Sequence, residues 1–104
     1  MRITEKQGAT YRVSTTDVAA GLAAGVLQLS DGSLCDGVTL CCETNPVRIA
    51  LGGATPTQGA SGTGVLLNVG EKFGITGVEN VSSLLWISAT NGSAGALQVM
   101  PEYF

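Results

Sequence analysis

A chain of 104 residues forms a single domain, and at that size folding buries only about two-thirds of the surface that the unfolded chain exposes. Charged residues make up 12% of it against the roughly 25% of an ordinary soluble domain, while hydrophobic residues reach 44%. Its five Lys and Arg (Arg2, Lys6, Arg12, Arg48, Lys72) never cluster and the net charge is −3, which excludes the basic stripe of conventional nucleic-acid binding and argues against anionic membrane surfaces.

Short apolar/polar alternations then recur between Gly, Asn, Asp and Pro, the pattern of strands and turns. Tyr11-Arg12-Val13-Ser14 reads as a first strand. Val18 to Gly25 is rich in alanine, and Thr16-Asp17 could cap a helix there, but two glycines four apart would each cost about 1 kcal/mol. An irregular loop, or a poor turn of helix leading into a strand at Val26-Leu27-Gln28-Leu29, is preferred, so that residues 1–25 read as an irregular arm or loop. Asp36-Gly37 introduces Val38 to Glu43, with Val38, Leu40 and Cys42 on one face, until Asn45-Pro46 breaks the run. Val47 to Leu51 is the next strand, with Val47, Ile49 and Leu51 on one side.

Gly52 to Gly64 is a polar Gly/Thr-rich loop without periodicity, and loops of more than ~12 residues tend to be functional or mobile. Strands resume at Val65–Val69, and Gly70-Glu71 turns the chain into Lys72–Ile75 as a hairpin. Leu84–Ala89 and Ala96–Met100 flank Thr90–Gly95 and give the strongest local hairpin signal of the chain. Pro101-Glu102-Tyr103-Phe104 follows as a tail whose two aromatics suit docking on the domain's own core or on a neighbouring subunit. Seven or eight short antiparallel strands at this spacing predict an all-β domain, a small sandwich of immunoglobulin or jelly-roll type or a small barrel.

The chemistry of a catalyst is thin. There is no histidine, so neither a Ser-His-Asp nor a Cys-His arrangement can exist within one chain, and a zinc site lacks its commonest nitrogen ligand. Cys35, Cys41 and Cys42 read as free structural thiols, and Cys41 and Cys42 point to opposite faces of their strand. Asp31, Asp36, Glu71 and Glu79 sit beside turns as solvated acids, and the run from Asp31 to Asp36 has too few oxygen ligands for a calcium loop. The glycines between Gly52 and Gly64 lack the Lys-Ser/Thr of a phosphate loop and lead into a strand. No enzyme activity, cofactor, metal or small-molecule substrate is therefore expected. No stretch carries the ~20 apolar residues of a membrane span. The N-terminus lacks the apolar segment of a signal peptide, so synthesis and folding in a cytoplasm are expected.

The second half of the chain resembles small β-rich structural proteins of tailed bacteriophages. The likeness rests on Asn45–Gly53, on Val69-Gly70-Glu71, on Leu84–Gly92 and Ala96–Val99, and on the Tyr near the end. The resemblance implies a non-enzymatic virion component, foremost a capsid decoration or cement protein that forms homo-oligomers and clamps the major capsid protein in virions assembled in a host cytoplasm. Neck, collar and tail-fibre components are the alternatives within that class, and a carbohydrate-binding module for host attachment is the alternative outside it. Candidate contact residues are Thr55, Pro56, Thr57 and Gln58 in the long loop, and Met100, Pro101, Tyr103 and Phe104 in the tail. Trp86 has both faces of its strand apolar, and packs in the core or serves as an interface or sugar-stacking platform.

Overall fold

The computed structural model describes residues 6–103 as two antiparallel sheets packed around one core, a small β-sandwich-like all-β domain. In chain order the elements are β1 (Lys6–Gln7), β2 (Tyr11–Ser14), α1 (Ala24–Leu27), β3 (Cys35–Glu43), β4 (Val47–Ala50), β5 (Val65–Leu67), β6 (Lys72–Thr76), α2 (Val78–Ser83), β7 (Leu85–Ser88) and β8 (Ala96–Tyr103). The first sheet runs β1-β8-β3-β6, with β2 joining β1 along the same side of β8; the second runs β5-β4-β7. Phe104 and the first five residues of the proposed N-terminal arm lie outside the described residues.

Period-two burial builds the core. Along β3 the buried Val38, Leu40 and Cys42 face the same way, and they lie opposite Pro101, Val99 and Leu97 of β8. From the second sheet Val47, Ile49, Leu67 and Trp86 complete a single apolar cluster. A polar tie crosses the sandwich at one end. The buried Thr15 and Ser88 hydroxyls lie 2.8 Å apart, and Thr15 Oγ1 accepts the Gly95 N–H at 2.9 Å. Each of these buried groups is thereby satisfied, as burial demands. A Cβ at Gly95 would lie 2.5 Å from the Asn45 carbonyl oxygen, so only glycine fits this crossing point.

Several expectations need correction. Val26–Leu29 is not a strand: Ala24–Leu27 forms one helical turn, and only Gln28 makes a bridge, to Leu34. Neither expected hairpin exists. β5 pairs with β4 while β6 pairs with β3, so Gly70-Glu71 carries the chain from one sheet to the other. Likewise β7 pairs with β4 and β8 with β3, and residues 90–95 are a second crossing. A turn signal marks where a chain reverses, and a sandwich uses reversals to change sheet as readily as to stay within one.

The C-terminal tail is not a loose end either. β8 continues through Pro101 to Tyr103, and Pro101, which cannot donate to a ladder, sits where the neighbouring edge is broken between Gln7 and Tyr11. There the Pro101 carbonyl accepts the Gly8 N–H at 2.8 Å and the Gln7 side-chain amide at 2.7 Å. The Tyr103 hydroxyl donates to the Val26 carbonyl at 2.7 Å, so the tail docks on its own domain and holds α1 in place. Leu40→Ala, at a fully buried site of the central pair, is expected to lose about 2–5 kcal/mol in urea unfolding. Tyr103→Phe, which removes only the hydrogen bond, should lose about 1 kcal/mol.

Candidate functional site

Ile49 to Gly70 contains no charged residue, and this stretch runs from the end of β4 through the long loop and β5. Within β4, Arg48 lies between the inward Val47 and Ile49, so alternation turns its side chain to the outer face of the second sheet, beside Ile87 and Leu66 on the flanking strands. Arg48 is nonetheless only 9% exposed, because the loop folds back across it. Its guanidinium donates to the Gly64 carbonyl at 2.9 Å and to the Gly59 carbonyl at 3.1 Å. Gly62 passes so close that a Cβ there would lie 2.7 Å from Arg48 Nε, which itself has no hydrogen-bond partner among the described residues.

Further bonds fix the loop. Thr57 N–H donates to the Thr63 carbonyl and Thr57 Oγ1 accepts the Thr63 N–H, while Gly59 N–H donates to the Ala89 carbonyl at the end of β7. Gln58 donates to Asp17 Oδ1 at 2.8 Å, and the same oxygen accepts the Gly92 N–H at 3.0 Å; these two bonds hold the Asp17 carboxyl below the usual carboxylate range. The loop is thus a shaped surface rather than a free tether. Beside it, Thr15, Thr16, Asp17, Ser88, Gly92 and Ala94 line an open depression of about 220 Å³.

The candidate contact residues separate by burial. Thr55 and Thr57 are exposed, while Gln58 and Met100 are half-buried. Pro56, Pro101 and Tyr103 are buried within this domain, and Tyr103 belongs to its core cluster. Trp86, 2% exposed, packs in the core cluster, and no tryptophan face is left for stacking on a sugar ring. Thr55 to Gln58 lie in the loop that joins β4 and β5 of the second sheet, whereas Met100, Pro101 and Tyr103 lie on β8 of the first. The residue that sequence reasoning missed is Arg48. Its only signal was a lone cation inside an apolar strand, just before the uncharged stretch.

Among the acids, Asp36 departs from expectation. It is the extra residue of a β-bulge between Cys35 and Gly37, buried, with Oδ1 lacking any hydrogen-bond partner among the described residues. No group of three or more Cys, Asp or Glu among the described residues is placed to hold a metal. Cys35 and Cys42 are buried free thiols and Cys41 is half-buried. Burial pushes the Cys35 and Cys42 thiols up, and it does the same to the Tyr11 and Tyr103 phenols. No helix among the described residues is long and apolar enough to cross a membrane. Comparisons with protein-family models, with characterised proteins and with solved structures give no match to this chain.

Two outcomes follow. Arg48→Met keeps the stem and removes both carbonyl contacts, so proteolytic cleavage between Gly52 and Gly64 should rise at least about tenfold while the thermal midpoint moves little; unchanged cleavage would mean that the loop holds itself. The second concerns pH. The raised thiol and phenol values mean that the fold favours their protonated forms, so their contribution is complete below the ordinary thiol value of 9.0. It is lost as pH rises beyond that value and then beyond the ordinary phenol value of 10.0. Thermal midpoints should therefore be level from pH 6 to 8 and fall above about pH 9.

Proposed function

We propose that this chain is a non-enzymatic structural protein of a virion, a capsid decoration protein that stabilises a shell through protein–protein contacts. The observation that carries this reading is the uncharged run 49–70, within which a thirteen-residue loop, 52–64, is clamped by Arg48 into a set shape next to an exposed apolar strand. Such a surface offers contact area at low electrostatic cost and loses little conformational freedom on docking, because the loop is ordered beforehand. Burial of Cys35, Cys42 and Trp86 agrees with it, since both thiol chemistry and sugar stacking need those groups accessible. The sequence likeness to small phage structural proteins supports the same assignment and supplies the kind of partner: itself and the major capsid protein.

Decoration gains strength from repetition. An interface near the ~1,600 Å² typical of specific complexes, repeated by the symmetry of a shell, gives avidity without any single strong contact. Purified protein added to undecorated shells should bind in proportion to the shell lattice and raise the temperature at which they rupture. Shells that neither bind it nor gain stability would contradict the proposal. Binding confined to the portal or tail would place the protein there instead.

A further inference from the structure

The segment that carries the chain from β7 to β8 holds the one Asn-Gly pair of the sequence, Asn91-Gly92. Asparagine is among the thermolabile residues. Its side-chain amide is open to attack by the backbone nitrogen of the next residue, and that neighbour decides how readily. Asn45 precedes proline, which has no N–H, while Asn68 and Asn80 precede valine, whose branched side chain crowds the attack. Glycine puts nothing in the way. Asn91 and Gly92 are both exposed, and the Asn91 amide has no hydrogen-bond partner among the described residues. The attacking nitrogen, by contrast, is held. Gly92 N–H donates to Asp17 Oδ1 at 3.0 Å, an oxygen that also accepts from Gln58 at 2.8 Å. The turn closes with Ser93 N–H on the Thr90 carbonyl at 3.1 Å, and Gly92 at φ 78° fits the third position of a type II turn. Beyond it Thr15 and Gly95 exchange two further bonds, both 2.9 Å, so the Gly92 N–H is released only when several contacts open together.

We infer that Asn91 is a site of spontaneous deamidation whose rate is set by the Asp17 carboxylate. In the reaction the Gly92 nitrogen gives up its proton and bonds to Cγ of Asn91. The bond from Cγ to the side-chain nitrogen breaks, and that nitrogen leaves as ammonia, carrying the proton that Gly92 lost. Water then opens the cyclic imide at either carbonyl, giving aspartate or isoaspartate. No oxidant, reductant or enzyme is needed. Asp17 opposes the first step twice. Its oxygen occupies the N–H that must be lost, and its negative charge disfavours the anion that the nitrogen must become. The bonds from Gln58 and Gly92 also hold the Asp17 carboxyl below the usual carboxylate range, which keeps it ionised. The product adds a negative charge to a chain of net charge −3, one residue from the N–H that Asp17 holds. As isoaspartate it also lengthens the backbone of the turn by one carbon. Both changes disturb the geometry that presents Gly92 to Asp17, so the modification undoes its own guard.

Incubation of the full chain at mildly alkaline pH, followed by peptide mapping that separates aspartate from isoaspartate at position 91, tests it. The folded protein should deamidate at least about tenfold more slowly than the same chain unfolded in urea, because the turn must open first. Asp17→Ala, in protein whose circular dichroism matches the parent's, should raise the folded rate about fivefold, as the loss of one hydrogen bond predicts. Glu79→Ala, which removes an exposed acid on α2, leaves the rate unchanged. Hydrogen exchange at the Gly92 amide gives a second reading on the unaltered chain, and so does not depend on a variant folding. It should be slower than in a free peptide of the same sequence. A folded rate equal to the unfolded one, an Asp17→Ala rate equal to the parent's, or a Gly92 amide that exchanges as in the free peptide would overturn the inference.

Discussion

The pairing of β3 with β8 is the constraint on which the rest of this structure depends. These are the two longest strands, and between them they carry Val38, Leu40, Cys42, Leu97, Val99 and Tyr103, a large part of the core. Every other strand of the first sheet attaches to one of them: β1 and β2 to β8, and β6 to β3. Because β8 must return to strands from the first half of the chain, the sheet forms only after long loops have closed. Topologies of that kind fold slowly.

The second sheet is smaller and its features are those of a surface. Three short strands leave its outer face to be covered by other means, and the 52–64 loop does this with Arg48 as the clamp. A guanidinium bound to two carbonyls is an unusual setting for a buried charge; replacing it by an apolar group need not reduce global stability. What the arginine supplies is a defined loop shape, and its planar fork of donors makes two contacts from one side chain. The clamped loop and the exposed apolar strand that follows it both belong to this second sheet's half of the domain.

Much of the strand content was legible, because half-buried strands write themselves as period-two alternation. Val38-Leu40-Cys42 and Val47-Ile49 are placed inward as the pattern predicts, and Trp86 between Leu85 and Ile87 is in the core. The helix α2 was not legible. Val-Glu-Asn-Val-Ser-Ser is built, Glu79 apart, from poor helix formers, and it is short, so no 3.6-residue stripe can develop. Pairing was the larger failure. Asn91-Gly92 and Gly70-Glu71 are sound turn signals, yet local chemistry does not encode whether the strands on either side share a sheet. The loop contacts were hidden for a related reason: alternation correctly turns Arg48 away from the core, but nothing in the sequence says that a loop starting four residues later returns to bury it.

The crossings between sheets distinguish this architecture from the hairpin stack that the same sequence suggests, and backbone NOE spectroscopy reads them directly. The account predicts cross-strand contacts between Leu40 and Val99 and between Ile49 and Trp86, with none linking β7 to β8 as ladder partners. A continuous ladder of contacts between Leu85–Ser88 and Ala96–Val99, in place of those pairs, would contradict it.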